Sequence, residues 1–363
     1  MTSRKLTVLQ VITPRRFSGA ERMVVYLSQG LQERGHRVVV ACKANEKLQA
    51  ELEAQGIEAQ ALAISGKANL VAPLRLARFA KSIGADIMHT HLSTASLWGS
   101  FAGKIAHIPV VAEVHALNSK TCFVYADHIV TCSEGVRQHV LAQGVRPERV
   151  EVLYNGLPMS RFEGLRPVAD VRGELELAEG TPVIGVVAHL SEKKGQRFVL
   201  GALPRLRERF PRLVCLLLGE GTMREELERL AEELGVADAV RFLGFRTDAI
   251  DLMQAMDVVV LPSVAKEGLG LALVEAGFLR KPTVGTACPG IDEVIEAGET
   301  GLLVPPADCG ALAEAIGLLL GDEAEARRMG EAGRRRAEGM FTQQAMAARA
   351  EEIYWRMLGG PGW

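Results

Sequence analysis

The sequence predicts an α/β protein of two tandem domains, each a parallel sheet covered by helices. Short β-branched runs alternate with amphipathic helical stretches along the whole chain. Runs such as residues 38–41 are apolar throughout, as strands must be when helices cover both faces of a parallel sheet. The alternation breaks once, at Tyr154-Asn155-Gly156-Leu157-Pro158, and then starts again. A length of 363 residues agrees with two domains, since about 150 residues is the usual size of one.

In chain order, the first half reads as strands over residues 5–12, 37–42, 58–64, 86–90, 110–114, 128–131 and 150–153. Between them lie helical stretches such as 18–34, where Met23, Val24, Leu27 and Leu31 recur at helical spacing. A polar stretch over about 155–180 reads as the linker. Strands resume at 183–188, 213–218, 240–243, 258–261, 283–285 and 301–304, with helices between, and a final helix covers 343–358. No short internal repeat is present. The domains are placed at residues 1–165 and 166–342. In open parallel sheets, ligands bind beyond the carboxyl ends of the strands, so functional residues are expected just after strands.

Composition narrows the function classes. With 48% hydrophobic and 24% charged residues the chain reads as soluble and globular. No apolar run approaches the about 20 residues that span a bilayer, and residues 6–12 are too short and interrupted for a signal peptide, so a cytoplasmic protein is expected. The six cysteines lie far apart, with no C-x-x-C pair or metal-ligand spacing, and read as reduced core thiols. Charge divides unevenly: residues 1–165 hold 19 basic and 13 acidic side chains, the remainder 23 and 31. A basic first half suits an anionic partner such as a phosphosugar, a nucleic acid or a membrane surface.

The most informative segment, residues 266–286, reads KEGLGLALVEAGFLRKPTVGT. Glu267 follows the strand at 258–261 after a short loop. Gly268 and Gly270 then allow close backbone approach, and Glu275 lies two turns down the helix that follows. Two such carboxylates can bind hydroxyls at separate places on an extended ligand, while the N–H groups at the helix start receive phosphate. That geometry suits a sugar nucleotide. An ordinary helix-start glutamate followed by an exposed one is the alternative the residues alone leave open. A second segment, VIGVVAHLSEKKGQ (residues 183–196), sets Lys193 and Lys194 directly after the first strand of the second half.

Together these segments resemble glycosyltransferase family 4, whose members are retaining transferases of the GT-B fold, with two facing Rossmann-like domains. EGLGLALVE is similar to the family's Glu, seven residues, Glu motif. KPTVGT, the turn at Gly290, Glu293 and the ETGLLVPP run ending at Pro306 follow the same pattern. The resemblance implies that Glu267 contacts donor-sugar hydroxyls, that Glu275 holds the nucleotide ribose, and that Gly268, Leu269, Gly270 and Leu271 offer N–H groups to sugar and diphosphate. Lys194 matches the family's diphosphate lysine, and His189 stands where an arginine is usual. The chain also departs at Cys288-Pro289-Gly290-Ile291-Asp292-Glu293, where relatives often carry two glycines and a proline. The loop at Gly244 to Arg246 is expected against the base.

In the first half, the turn TPRRFSGAERMVVYLSQGL (residues 13–31) is similar to the family's glycine turn before the first helix. Gly19 and Ser18 are expected near the donor diphosphate or acceptor, with Arg15, Arg16 and Arg22 as acceptor-side candidates. His115, in VVAEVHALN, matches the histidine that relatives place by the donor sugar and the reacting bond; His91, with His89 a looser match, is an acceptor-side candidate. The final helix resembles the one that crosses back to the first domain, so residues 343–363 join residues 1–165.

The expected enzyme transfers a sugar from a nucleotide-diphosphate sugar to a glycan, lipid-linked or small-molecule acceptor, with retention. His115, Lys194 and Glu267 form its catalytic set. No D-x-D triplet precedes a strand end, so neither metal nor other cofactor is expected. The residues 73–81, PLRLARFAK, could lay an apolar face on lipid bordered by Arg75, Arg78 and Lys81, or pack on the sheet. Peripheral contact with the inner face of the membrane and a role in polysaccharide or lipopolysaccharide biosynthesis follow from the resemblance; nucleic acid is not an expected partner. A sugar-nucleotide epimerase of the same fold and a catalytically silent sugar-nucleotide-binding protein are the rivals. A nicotinamide dehydrogenase is set aside because no G-x-G-x-x-G turn follows the first strand.

Overall fold

The computed structural model describes residues 4–14 and 19–359; Arg15, Arg16 and Ser18 lie outside the described residues. The chain forms two compact units. One runs to Pro158 and resumes at Met340; the other is Met159–Gly339.

The first unit contains β1 (Thr7–Ile12), α1 (Gly19–Glu33), β2 (Arg37–Cys42), α2 (Glu46–Ala54), β3 (Glu58–Ala61), α3 (Ala72–Ser82), β4 (Ile87–His91), α4 (Ser93–Ala106), β5 (Val110–Val114), β6 (His128–Thr131), α5 (Glu134–Leu141) and β7 (Val150–Val152). The second contains α6 (Val168–Glu174), β8 (Val183–Val187), α7 (Gln196–Arg209), β9 (Val214–Leu218), α8 (Arg224–Glu233), β10 (Val240–Gly244), α9 (Ala249–Gln254), β11 (Val258–Leu261), α10 (Leu271–Phe278), β12 (Thr283–Thr286), β13 (Leu302–Val304) and α11 (Cys309–Gly321). Then α12 (Glu323–Met340) leads into α13 (Gln343–Met357), which belongs to the first unit.

Both sheets are parallel. Their orders are β3-β2-β1-β4-β5-β6-β7 and β10-β9-β8-β11-β12-β13. Each order reverses direction once, between β1 and β4 in the first sheet and between β8 and β11 in the second. Loops leaving the two strands at a reversal run to opposite faces, which opens a crevice at their carboxyl ends. The segments after β8 and β11 are the two motif segments singled out above.

The first unit's core lies on both faces of its sheet. One face packs Leu9, Val11, Met88 and Ala112 against α3, α4 and α5. The other packs Val8, Ile87, Val111 and Val130 against Leu27 and Leu31 of α1 and against Met346, Ala347, Ala350, Ile353 and Tyr354 of α13. Those five positions recur at helical spacing, so α13 buries one stripe on the sheet. The Thr342 hydroxyl caps α13 by accepting from the Ala345 N–H at 3.1 Å. Beside it the chain pairs with itself: the Leu157 N–H donates to the Phe341 carbonyl at 2.8 Å, and the Gln343 N–H to the Leu157 carbonyl at 3.0 Å.

The structure corrects the linker. Within residues 155–180, Val171 of α6 and the following Leu175 are buried in the second unit's core beside Leu252 and Met256, while Arg161 pairs with Glu275 at 2.8 Å and Phe162 stacks on Phe278. The unit boundary therefore falls at Pro158 rather than 165. Polar composition hid α6, because one short helix buries only one narrow stripe. Five of the six cysteines are buried free thiols and Cys309 is half-buried; burial pushes the Cys215 thiol up to about 12. Among the described residues, no helix is long and apolar enough to cross a membrane.

The return of α13 sets a steric test. A Cβ on Gly156 would lie 2.2 Å from the Thr342 carbonyl oxygen, which is backbone and cannot swing away. Gly156→Ala is expected to destabilise the first unit by ~1–3 kcal/mol, as overpacking does. Gly339→Ala on α12, where nothing lies within 4 Å, is the control and should be neutral or stabilising. Thermal melts of the two variants check this.

Candidate active site

In the second unit, β8 and β11 deliver their loops side by side. The Val264 N–H after β11 donates to the Lys193 carbonyl after β8 at 2.9 Å, tying the two segments together. Between them sits Glu267, 6% exposed. Its carboxylate accepts from the Ser263 hydroxyl at 2.6 Å and lies 2.9 Å from Lys194 Nζ and 3.4 Å from Lys193 Nζ. A buried carboxylate needs such compensation, because an unpaired one is costly to desolvate.

A second loop shapes the same place. The Glu267 N–H donates to the Pro289 carbonyl at 2.9 Å. Gly290 adopts φ +90°, and a Cβ there would lie 2.8 Å from the Glu267 carbonyl oxygen. Here only glycine lets one backbone lie against the other. Thr286 and Cys288 both donate to the Ser263 carbonyl, at 2.5 and 3.4 Å. Gly270, at φ +41°, opens α10, and no side chain caps that helix. Glu267, Lys194 and the start of α10 with Gly268, buried Leu269, Gly270 and Leu271 thus converge at the carboxyl ends of β8 and β11. The uncapped N–H groups and the ammonium provide positive potential for an anion.

The other residues expected in this unit are placed differently. Glu275, on α10, is held by Arg161 at 2.8 Å, with side-chain exposures of 15% and 22%. His189 is exposed, and its carbonyl accepts from Gln196 Nε2 at 3.0 Å. The Arg246 guanidinium is spent on Asp248, through Nε and Nη2 at 2.7 Å each, and on Glu174 at 2.8 Å. It organises an ion-pair network with Arg166, while the neighbouring Phe245 is 62% exposed.

In the first unit, alternation along β4 puts His89 and His91 on one face, and the register sets His91 beside Glu113 of β5. His115 follows two residues later. Glu113 Oε2 lies 3.2 Å from His89 Nε2 and 3.2 Å from His91 Nδ1, and Oε1 lies 3.5 Å from His115 Nδ1. His91 Nδ1 is 3.0 Å from His115 Nε2, His91 Nε2 is 2.5 Å from Gln10 Oε1, and His89 Nδ1 is 2.5 Å from the Tyr354 hydroxyl. The rings of His89, His91 and His115 stack in sequence. His89, His91 and Glu113 bring three ligand-type atoms within 4.8 Å of one another, a set compact enough for a cation; Tyr354 and Gln10 take the other ring nitrogens of His89 and His91, and His115 shares His91 Nδ1 with Glu113.

Burial lowers the His91 and His115 imidazoles from their usual value, against the raising effect of Glu113. Burial alone would raise the Glu113 carboxyl, but His115, His89 and His91 outweigh it and hold the group well below the carboxylate range.

His91, an acceptor-side candidate from sequence, is fully buried with both ring nitrogens engaged, so it does not face an acceptor. The β-alternation that placed it after a strand also turned it inward. His115 is 9% exposed at its side chain. Gly19 opens α1 at an exposed position, and Arg22 is exposed one turn on. Sequence reasoning missed Ser263, Glu113, Gln10 and Tyr354. Glu113 had a local signal, standing two residues before His115; Tyr354 had none, since it arrives from the far end of the chain.

Two parallel-sheet units, with a charged pair and an open helix start at the order reversal of the second, define a GT-B transferase architecture. Residues 168–336 match the family model described as Glycosyl transferases group 1, and residues 17–161 match Glycosyltransferase Family 4. The chain belongs to this family and is a glycosyltransferase. It is 28% identical over 332 residues to the lipopolysaccharide core biosynthesis glycosyltransferase LpsE of Rhizobium meliloti, covering 90% of this chain and 93% of that one. It is 36% identical over 194 residues to a D-inositol 3-phosphate glycosyltransferase of Corynebacterium urealyticum, covering 50% and 46%. In fold it is similar to a glycosyltransferase from Rickettsia africae, with TM-score 0.88 and 22% identity over 98% of this chain and 99% of that one. It is likewise similar to Anabaena HepE in complex with UDP and glucose, with TM-score 0.83 and 24% identity over 96% and 99%.

The imidazole cluster makes the first unit acid-sensitive. Folded His91, His115 and Glu113 all bind protons more weakly than when unfolded. The unfolded state therefore holds more protons, and stability falls with falling pH. The loss begins near 6.5, the usual histidine value, and continues through the carboxylate range. Melts of the whole protein at pH 8, 6.5 and 5 should show the first unit losing stability progressively; a flat response removes the assignment.

Proposed function

We propose that this glycosyltransferase takes a nucleotide-diphosphate sugar on its second unit and transfers the sugar with retention to a glycan, lipid-linked or small-molecule acceptor. The observation that carries the reading is the 2.9 Å pair of Lys194 and Glu267 beside the uncapped start of α10. The bond from sugar to diphosphate breaks with negative charge growing on the leaving phosphate. A fixed ammonium and aligned N–H groups there interact more strongly with the transition state than with the ground state, which lowers the barrier. This supply of positive charge comes from the chain itself, so the proposed reaction calls on no divalent ion.

Glu267 holds Lys194 until a donor arrives, then turns its carboxylate to sugar hydroxyls. Glu275 takes the ribose hydroxyls in exchange for Arg161. His115 is assigned to the donor sugar, and Arg15, Arg16, Arg22 and Gly19 to the acceptor or diphosphate side. His189, in the place of the usual arginine, offers a single hydrogen bond rather than a bidentate fork. UDP-sugars are the first donors to try, since HepE is solved with UDP and glucose, and LpsE's role in lipopolysaccharide core biosynthesis supports a glycan acceptor.

Lys194→Ala should lower kcat by ~10²-fold with little change in donor KM, the size of losing one transition-state donor. Glu275→Ala should weaken UDP binding about tenfold by calorimetry. Unchanged behaviour in both variants overturns the site.

The same reading includes peripheral membrane contact through the first unit. Pro73, Leu76, Ala77 and Ala80 of α3 are buried, so that face packs on the sheet as one of the two sequence readings had it. What stays exposed are Leu70 at 76%, Val71 at 50% and Leu74 at 45%, among Lys67, Arg75, Arg78 and Lys81. Apolar side chains ringed by cations suit an anionic lipid surface. Sedimentation with phosphatidylglycerol vesicles should retain the protein at low salt, release part of it at 0.5 M salt, and fail for Leu70→Asp/Leu74→Asp; no binding, or binding unaffected by salt, overturns it.

A further inference from the structure

The two oxygens of the Glu267 carboxylate are not equivalent. Oε1 meets two donors, the Ser263 hydroxyl at 2.6 Å and Lys194 Nζ at 2.9 Å. Oε2 faces Lys193 Nζ at 3.4 Å. These donors differ in how freely they leave. The Lys193 side chain is 45% exposed and that of Lys194 22%, whereas Ser263 is fully buried. An ammonium rides on a long flexible stem, while a serine hydroxyl sits one carbon from the backbone and goes only where the backbone puts it.

That backbone is held from several sides. The Ser263 carbonyl accepts from the Thr286 hydroxyl at 2.5 Å and from the Cys288 thiol at 3.4 Å, at the end of β12 and in the turn after it. The preceding Pro262 carbonyl lies against Gly195, where a Cβ would come within 2.1 Å of its oxygen. The following Val264 N–H donates to the Lys193 carbonyl at 2.9 Å, and the Glu267 N–H is tied separately to the Pro289 carbonyl at 2.9 Å. Ser263 and Glu267 thus start from two fixed backbones, and the bond between their side chains sets the direction of the carboxylate. Its length is that of a charge-assisted O–H···O bond, about 2.5–2.7 Å.

We propose that Ser263 is the positioning residue for Glu267: its hydroxyl keeps Oε1 while the lysines exchange, so that Oε2 is the oxygen that accepts a donor-sugar hydroxyl.

The division follows from the donors each oxygen meets. When a diphosphate draws Lys194 away, Oε1 retains the Ser263 hydroxyl and is not stranded as a buried charged acceptor, which would be costly. When Lys193 turns aside, Oε2 is open to a sugar hydroxyl, which donates because a carboxylate only accepts. Without the Ser263 hydroxyl, Oε1 depends on Lys194 alone, and departure of that ammonium frees the carboxylate to rotate. The sugar then meets several carboxylate orientations instead of one, and ordering them weakens its binding.

The proposal rests on the reading that Glu267 contacts the donor sugar, so one arm of its test uses no ligand. Full-length Ser263→Ala, Glu267→Ala and the double variant are unfolded in urea. Side chains in contact give midpoint shifts that do not add; additive shifts overturn the proposal. In the second arm, calorimetry gives the Kd of UDP and of UDP-glucose for each single Ser263 variant. The ratio of the two isolates the sugar, since any change in diphosphate binding through Lys194 enters both and cancels. Ser263→Ala should move that ratio ~5–10-fold against UDP-glucose relative to wild type, the size of one hydrogen bond to a charged group. Ser263→Cys, a weaker donor of nearly the same shape, should fall between the two. A purely structural serine would weaken UDP and UDP-glucose alike, and a ratio unchanged in Ser263→Ala overturns the proposal. Non-additive midpoints in a protein whose wild type binds neither UDP nor UDP-glucose would leave the contact standing and count against the reading of the donor.

Discussion

Parallel strands run their carboxyl ends to one edge of a sheet, and where the strand order reverses, the two neighbouring loops part to opposite faces. Nearly everything chemical in this chain sits on that constraint. The reversal at β8 and β11 brings Lys194, Ser263 and Glu267 together from loops some seventy residues apart in sequence. The reversal at β1 and β4 does the same for Gln10, His89 and His91, with Glu113 and His115 from the adjoining strand.

The two places handle buried charge differently. In the second unit a nearly buried glutamate is compensated by ammonium groups, of which Lys193 is 45% exposed and Lys194 is 22% exposed. Such a pair can be exchanged for an anionic ligand only where hydroxyls or N–H groups take up the carboxylate the lysines leave. In the first unit the carboxylate lies among imidazoles, of which burial keeps His91 and His115 short of protons. That arrangement keeps its charge away from solvent.

Much of the fold was legible because two periodicities are local. Strands 37–42, 110–114, 128–131 and 258–261 were readable from apolar runs to the residue, and α1 from its stripe. The linker was not, since α6 is short and polar outside the stripe made by Val171 and Leu175. In the second unit, the resemblance of residues 183–196 and 266–286 to family 4 singled out Lys194 and Glu267, and the structure sets them 2.9 Å apart. What spacing left out at Arg246 is its surroundings: Asp248 and Glu174 fold against its guanidinium.

By itself the sequence determined two parallel-sheet units, the segments that end their strands, and membership of a transferase family, because each depends on residues close together in the chain. Tertiary structure decided which polar groups meet. That His91 turns inward, that Glu275 is held by Arg161 and that Tyr354 reaches His89 from 265 positions away are consequences of register and helix docking. Local spacing carries no information about such meetings, since the same strand or helix forms whatever partner packs on it.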